Sequence, residues 1–254
     1  MTSANRSRQT YYTLNSFVRS NYKDIQVILV DDSSSDPIDI RELNKFPFTI
    51  DFIRILREKK WWSNPCVTYN IGFQFVKGGS VILQNAEVFH VGDVIEFVHN
   101  NIHLDHRYFV FDVRQSASYE TNEMIYKANV QHTTDIYLQN EYFDQSGWYQ
   151  SARHNNRALH FLSAMPRSVF DKLGGFSYDY AFGTWYDDDD LLLKVKCLHV
   201  TIISLDNADV KCGGVHQFHT LAGFAWGKDI PFNDEIYKSK IQHFNKTGTY
   251  LEIV

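Results

Sequence analysis

Apolar positions along the chain alternate between short β-branched runs and stretches with helical spacing. Tyr11, Leu14, Phe17 and Val18 recur at helical spacing and predict a helix within residues 8–20. The run IQVILV, followed by the polar segment DDSSSDP, predicts a buried parallel strand and a loop. Further strands are predicted in FTIDFIRIL, SVIL, RYFVFDVR and VTIISLD, and further helices in NPCVTYNIGFQFVKGG, VGDVIEFVHNNI, PRSVFDKLGG and DDDDLLLKVKCL. Strands separated by helices predict an α/β protein with a mainly parallel sheet and helices on both faces.

The length and composition fit a single α/β domain or two small ones and argue against several classes of protein. The chain has 254 residues, of which 44% are apolar and 22% charged. Its net charge of −5 argues against nucleic acid as the main partner. It has no apolar run of about 18 residues, and its polar start MTSANRSRQT lacks a signal-peptide pattern, so no membrane span is expected. Cys66, Cys197 and Cys212 lack metal-ligand spacing and are interpreted as free thiols, which predicts a cytoplasmic location.

Polar side chains follow two of the predicted strands. Asp31 and Asp32 come just after one strand, and Gln84, Asn85 and Glu87 come at or just after another. Because ligands of parallel α/β sheets lie beyond the carboxyl ends of the strands, both groups are expected at one crevice. Carboxylates and amides there can hold a ribose, a base edge and a cation such as Mg²⁺ or Mn²⁺. The alternative is that the two aspartates cap the next turn and the glutamate is solvated.

Three stretches of the sequence resemble motifs of the GT-A glycosyltransferases. VILVDDSSSDP is similar to the nucleotide-binding strand of family 2, in which VVDDGSTD is typical. NPCVTYNIGFQFVKGGSVILQNAEV is similar to the family stretch ARNxGxxxAxGxxxxxLDADD. LGGFSYDYAFGTWYDDDDLLLKV resembles GGFDExFxxxxxEDxDLxxR and also WGGEDDDL of related galactosyltransferases. The resemblance follows the family's order and implies one Rossmann-like GT-A domain over 1–254, with a nucleotide-binding half at 1–100 and an acceptor-binding half at 101–254.

The resemblance also implies a function and a set of site residues. Family 2 enzymes are mostly inverting transferases whose sugar donor is often linked to UDP, and many use Mn²⁺ or Mg²⁺. Glu87 matches the DxD metal ligand, His216 matches a C-terminal histidine that ligates metal in some relatives, and His219 is the other candidate. Asp188 matches the catalytic base. The implied nucleotide contacts are Thr2, Ser3, Asp31, Asp32, Asn70, Gly72 and Asn85.

Two positions depart from the family pattern. Tyr69 stands where an Arg is usual, and Asn85 stands where the DxD motif has its first Asp. The site therefore has one carboxylate fewer, so we expect weaker metal binding, or an ion that arrives together with the nucleotide.

The need for a general base in such a site explains one of the four carboxylates in the run Asp187 to Asp190. An acceptor hydroxyl must lose a proton as it attacks, so a positioned carboxylate is needed as general base. Consecutive helical residues point about 100° apart, so four acids in a row cannot all face one ligand. The alternative interpretation makes the run a helix cap and a solvated face. Candidate contacts to sugar or acceptor are Trp148, Trp185 and Asp187.

Three functional hypotheses are compatible with the sequence. The first is an active, metal-dependent, inverting glycosyltransferase that takes a nucleotide-sugar donor and a hydroxyl-bearing acceptor. The second is a non-catalytic module that binds sugar nucleotides or glycans on the same fold, which Asn85 favours. The third is a nucleotidyltransferase, but such enzymes usually have a Gly-rich basic loop near the start, and TSANRSRQT has no glycine.

Overall fold

The computed structural model of the protein describes residues 1–102, 106–128, 143–220 and 230–253. The strands are β1 Thr2–Ser3, β2 Gln26–Asp31, β3 Thr49–Arg54, β4 Ser80–Gln84, β5 Val88–Val91, β6 Arg107–Phe111, β7 Val113–Ser116, β8 Phe143–Gln150, β9 Leu162–Pro166, β10 Thr201–Leu205 and β11 Gly213–His216. The helices are α1 Ser7–Val18, α2 Ile40–Leu43, α3 Cys66–Phe73, α4 Val94–Asn101, α5 Tyr119–Lys127, α6 Arg167–Leu173, α7 Asp187–Cys197, α8 Asn207–Val210 and α9 Ile230–Thr247. Within these described segments, no helix is both long and apolar enough to cross a membrane.

The strands form three sheets, which confirms the α/β class. One sheet is parallel and has the order β1-β2-β3. A second has the order β10-β6-β9-β4, in which β9 runs antiparallel to both of its neighbours. The third has the order β5-β11-β7-β8, with β5 and β8 antiparallel to their partners. The sheets are therefore more mixed than the prediction of a mainly parallel sheet.

Helices cover both faces of β2, as its uninterrupted apolar run predicts. Val27 and Leu29 pack with Leu14 of α1 on one face. Val30 points the opposite way and packs with Tyr69 of α3. Successive residues of a strand alternate between its faces, so a strand covered on both sides is apolar throughout. This packing directs the polar end of β2 towards the crevice.

The third sheet determines which distant residues meet. Val88 of β5 lies opposite His216 of β11 in an antiparallel pair. The pairing continues past the strand ends, where the N–H of Gln217 donates to the carbonyl oxygen of Glu87 at 3.0 Å. A glutamate that follows β4 and a histidine near the end of the chain are thereby brought side by side.

Candidate active site

Glu87, His216 and His219 form a cluster at the end of β11. The Oε1 atom of Glu87 lies 3.6 Å from Nε2 of His216 and 3.9 Å from Nε2 of His219. One ligand atom from each of the three residues lies within 4.8 Å of the other two. The structure thus brings together all three predicted metal ligands, including both candidate histidines.

The electrostatics of this cluster favour its metal-binding protonation state. Burial by itself would raise the pKa of Glu87, but its hydrogen bond to His216 and the charges of His216, His219 and Arg6 hold that pKa below its usual value. Burial lowers the pKa of His219, which favours the neutral ring. Metal ligands must be a carboxylate and neutral imidazoles, so these shifts suit a cation.

The donor set fits a divalent cation. Nε2 of His219, the atom that faces Glu87, is buried and makes no hydrogen bond. Buried polar atoms without a partner are rare in proteins, and an ion is one explanation for them. Two imidazoles and one carboxylate suit a first-row transition metal such as Mn²⁺ better than Mg²⁺, which prefers oxygen ligands.

The two residues at the end of β4, Gln84 and Asn85, have different roles. Gln84 stabilises the turn instead of facing a ligand: its Oε1 lies 2.7 Å from Nε2 of His90, and its Nε2 donates to the carbonyl of Val88 at 3.1 Å. Asn85 accepts a hydrogen bond from the hydroxyl of Tyr69 at 3.1 Å. The tyrosine that replaces the usual arginine therefore orients the asparagine that replaces the usual aspartate.

The two aspartates after β2 have different environments. Asp32 accepts hydrogen bonds from Nζ of Lys60 at 2.8 Å and from Nε1 of Trp62 at 3.2 Å. Asp31 accepts from the N–H of Ser34 at 3.3 Å, and burial raises its pKa. Asp31 thus caps the turn, as the alternative interpretation held for it. The carboxylate of Asp32 is oriented by two side chains that the motif comparison did not identify.

The remaining residues predicted to contact nucleotide differ in their hydrogen bonds and in their burial. Ser3 in β1 shares a hydrogen bond of 3.0 Å with Thr10, and Thr2 beside it is half-buried. Asn70 exchanges two hydrogen bonds with the backbone of Phe176, at 2.9 and 2.8 Å. These bonds occupy both ends of its amide and tie α3 to the segment before α7. The structure gives Asn70 a supporting position, and its contact with nucleotide stays a prediction.

Gly72 also serves packing. A Cβ atom at this position would lie 2.9 Å from a methyl carbon of Val30, so α3 can approach β2 this closely only with glycine there. Its predicted place near the nucleotide is untested, but its position explains why glycine is needed.

The four acids at the start of α7 point into four environments. Asp188 has a side chain that is 26% exposed, and its Oδ1 lies 3.0 Å from Nδ1 of the buried His160. Asp187 is buried and accepts from Nδ2 of Asn64 at 3.0 Å. Burial, followed by the charge of Asp188, raises the pKa of Asp187 to about 7. Asp188 is therefore the member of the buried pair that keeps access to solvent.

The environments of Asp189 and Asp190 differ from these. Asp189 is half-buried, and burial and the charge of Asp188 raise its pKa. Asp190 is fully buried, and its Oδ2 accepts from the hydroxyl of Tyr250 at 2.6 Å. Only part of the acidic run can therefore meet a substrate.

Two tyrosines link the metal cluster to Asp188. The ring of Tyr149 stacks on His216, with centroids 4.1 Å apart. Burial first, and then the charges of both Glu87 and Asp188, raise the pKa of Tyr149. The same two charges act on Tyr69 in addition to burial. The ring of Tyr69 also lies 5.0 Å from that of His160, which is beside Asp188, so aromatic rings bridge the space between the two carboxylates.

The structure packs Trp148 against neighbouring side chains, and its contact with a sugar stays a prediction. Trp148 of β8 lies opposite Arg114 of β7, next to an irregularity in the pairing of these strands. Its ring lies under the guanidinium of Arg114, 4.0 Å from the ring centroid, and stacks with His154. Trp185 is 51% exposed two residues before α7, and its contact with an acceptor stays a prediction.

The sequence was compared with family models. The model of glycosyl transferase family 2 matches residues 1–174. The chain belongs to this family. It matches no curated protein.

Several solved structures share the GT-A fold of this family 2 chain. S. aureus TarS 1-349 in complex with UDP-GlcNAc has a TM-score of 0.63 and 12% identity, over 96% of this chain and 65% of that one. The mannosyltransferase PcManGT from Pyrobaculum calidifontis, in complex with GDP-Man and Mn²⁺, has a TM-score of 0.51 and 15% identity, over 96% and 61%. GalNAc-T7 with UDP, GalNAc and Mn²⁺ has a TM-score of 0.55 and 14% identity, over 96% and 48%. The chain thus spans less than two thirds of the length of these chains.

Two residues of the candidate site were not assigned to it from the sequence. Lys60 lies in the charged run REKK, where nothing distinguishes it from its neighbours. His160 stands alone in an apolar stretch, which is typical of a structural histidine.

Proposed function

We propose that the chain is an inverting glycosyltransferase that moves a hexosyl group from a nucleotide-sugar donor, linked to UDP, to an acceptor hydroxyl. The observation that carries the proposal is the chain of ring contacts that joins the Glu87–His216–His219 cluster to Asp188. Tyr149 stacks on His216 and packs on Phe161, Phe161 contacts His160, and His160 lies beside Asp188. A cation site and an accessible carboxylate at one crevice are what a single displacement at an anomeric carbon requires.

At the donor end, Asp32 is the group we assign to the nucleoside. Lys60 and Trp62 hold its carboxylate in place beyond the end of β2. Thr2 and Ser3 line the same edge from the neighbouring strand. TarS and GalNAc-T7 were solved with UDP-GlcNAc and with UDP, which supports a uridine nucleotide here.

At the diphosphate, Glu87, His216 and His219 would hold Mn²⁺. When bound, the ion would neutralise the charge that develops on the leaving diphosphate. The Mn²⁺ complexes of PcManGT and GalNAc-T7 support this choice of metal.

At the acceptor, Asp188 takes the proton. The acceptor oxygen forms a bond to the anomeric carbon while the bond from that carbon to the diphosphate breaks, and the hydroxyl proton passes to the carboxylate. One such displacement inverts the configuration. The adjacent His160 orients this carboxylate, which lies at the positive end of α7. Trp185 is the proposed acceptor contact, whereas Asp187, the other candidate, is buried against Asn64. The cytoplasmic location stays a prediction.

The decisive experiment measures donor binding and slow donor hydrolysis together. We expect Mn²⁺ to tighten UDP binding, and a UDP-sugar from a panel of sugar nucleotides to be hydrolysed only with the metal. The variant Glu87→Gln should lose the effect of Mn²⁺ on UDP binding by about tenfold or more, because the only carboxylate of the cluster is removed. Glu123→Gln, at an ion pair with Arg8, is the matched control.

The outcomes separate the hypotheses. Unchanged binding and hydrolysis in the presence of a chelator would remove the metal from the proposal. Tight binding of UDP-sugars with no hydrolysis, and no transfer to any glycan of an acceptor panel, would favour the non-catalytic binding module.

A further inference from the structure

Two consecutive residues just before α7 have an unusual backbone conformation. Trp185 has a φ angle of 69° and Tyr186 has one of 67°, so both lie in the left-handed region. Glycine adopts this region freely, but a bulky residue there is strained and persists only when its surroundings hold it. Strain of this kind is concentrated at functional sites. These two residues form the Trp185 turn, which leads directly into the helix that carries Asp188.

Asn233 of α9 holds the Trp185 turn. Its Nδ2 atom donates a hydrogen bond to the carbonyl oxygen of Trp185 at 2.9 Å, and the residue is fully buried. Gly183 makes room for the amide, because a Cβ atom at this glycine would lie 2.1 Å from Oδ1 of Asn233. The close packing of these two residues fixes the amide against the carbonyl of Trp185.

Packing alone does not explain why this residue is an asparagine. Its Oδ1 atom is buried and makes no hydrogen bond to the residues that the structure describes. A buried polar atom without a partner costs free energy, which an apolar residue of the same shape, such as leucine, would avoid. An apolar residue could not, however, donate to the carbonyl of Trp185. That bond is therefore what Asn233 contributes.

The Trp185 turn determines the direction in which α7 starts. The carbonyl oxygen of Tyr186 accepts from the N–H of Asp190 at 2.9 Å, a hydrogen bond of the first helical turn. The ring of Tyr186 also stacks on Tyr237 of α9, with centroids 5.3 Å apart. A change in the conformation of the turn would therefore reorient the start of α7, and with it the carboxylate of Asp188.

We propose that Asn233 is a positioning residue of the acceptor site. By holding the carbonyl of Trp185, it keeps the turn in its left-handed conformation and fixes the directions of the Trp185 ring and of the Asp188 carboxylate. Trp185 is 51% exposed and the side chain of Asp188 is 26% exposed, so both are open to a sugar acceptor from solvent. Their roles as acceptor contact and base rest on the proposed function. Asn233 is buried and acts only through them.

Other elements hold the nucleotide end of the site. Lys60 and Trp62 orient Asp32, and the pairing of β5 with β11 brings the metal cluster together. These contacts do not involve α9. A change at Asn233 is therefore expected to affect the acceptor end of the site and to leave UDP binding intact.

The test replaces Asn233 with leucine and with alanine. Asn233→Leu keeps most of the packing but cannot donate to Trp185, and Asn233→Ala removes the whole amide. Labelling with 5-fluorotryptophan gives a fluorine signal for each of the five tryptophans, and Trp185→Phe identifies the signal of Trp185. Both variants should broaden this signal by about twofold or more, because the ring then samples several directions, and leave the other signals sharp. Asn245→Ala, at an exposed asparagine of the same helix, is the matched control.

Binding and catalysis are measured on the same variants. Hydrolysis of the UDP-sugars of the panel with Mn²⁺ should slow by about tenfold or more, because Asp188 is no longer held in a productive geometry. The Kd of UDP with Mn²⁺ should stay within about twofold of the parent value, because the lost interaction is not at the nucleotide. The fluorine signal requires no catalysis. A parent protein that hydrolyses no UDP-sugar would therefore refute the proposed function, and the fluorine signal would still decide whether Asn233 positions Trp185.

Each remaining outcome bears on the proposal. An unchanged Trp185 signal in both variants would overturn it, as would a loss of UDP affinity as large as the loss of hydrolysis. Unfolding of both variants would also overturn it, because Asn233 would then be needed for the fold as a whole. A broadened Trp185 signal with an unimpaired rate of hydrolysis would overturn the link to Asp188.

Discussion

At the scale of single residues, the start of α7 shows that the direction of a side chain determines its chemical environment. Asp188 lies beside His160 and retains access to solvent, whereas Asp187 turns inwards to Asn64. Asp189 is half-buried in a third direction. The rotation of about 100° between successive helical residues produces these differences from four identical side chains.

The change Asp188→Asn tests the assignment of the base. It keeps the shape of the side chain but removes its ability to accept a proton, so turnover should fall by about a hundredfold or more. UDP affinity should barely change, because the proposed role of this residue is at the acceptor and not at the nucleotide. Asp189→Asn is the matched control and should be mild. Equal losses in both variants would mean that the run acts through total charge or stability, and an unimpaired Asp188→Asn enzyme would refute the mechanism.

The raised pKa of Asp187 predicts how the free energy of unfolding depends on pH. Burial and the charge of Asp188 raise its pKa to about 7 in the folded state, above the ordinary value of 3.8. The folded protein therefore binds the extra proton between about pH 4 and pH 7, and its free energy of unfolding falls as pH rises through that window. Asp187→Asn removes this cost while retaining an acceptor for Asn64.

Urea denaturation at several pH values measures the effect. The variant should gain stability relative to the parent as pH rises from about 4 to 7, reaching about 1–3 kcal/mol. Asp209→Asn, at a side chain that is 74% exposed, should show no such trend. A constant difference between Asp187→Asn and the parent across this range would contradict the buried, proton-binding state of Asp187.

At the scale of elements, the strongly patterned segments could be predicted and the short ones could not. The helix predicted within residues 8–20 is α1, and the run IQVILV contains β2. Strands β5 and β11 each have four residues, VFHV and GGVH, and neither shows alternation. Their pairing joins segments far apart in sequence, so the contact between Glu87 and His216 could not be derived from spacing and was reached only through the family resemblance.

The α3 helix shows a different limit of sequence reasoning. The motif around Asn70 and Gly72 was correctly located on a helix that starts near Pro65. What the sequence could not show is that the amide of Asn70 is bonded to Phe176, and that Gly72 allows the close approach to β2. Motif positions can hold a site together without touching its ligand.

At the scale of the whole molecule, the last helix is tied to the site through buried charge. Lys240 of α9 is fully buried, with its Nζ atom 2.7 Å from Oδ2 of Asp179 and 3.4 Å from Oδ1 of Asp190. It also donates to the hydroxyls of Ser177 and Tyr250, at 3.1 and 2.8 Å. Asp190 lies on α7, so α9 contacts the helix that carries the proposed base. Residues beyond the family match thereby support the site.

The change Lys240→Met tests this connection. It keeps most of the side-chain volume but leaves the carboxylates of Asp179 and Asp190 buried without their cation, so the free energy of unfolding should fall by about 3–5 kcal/mol. Lys238→Met on the same helix removes an exposed pair with Asp234 and should change stability by less than about 0.5 kcal/mol. Urea denaturation of both variants measures the difference. If the two changes cost the same, the buried lysine does not hold α9 to α7, and the charge of Asp190 must be balanced in another way.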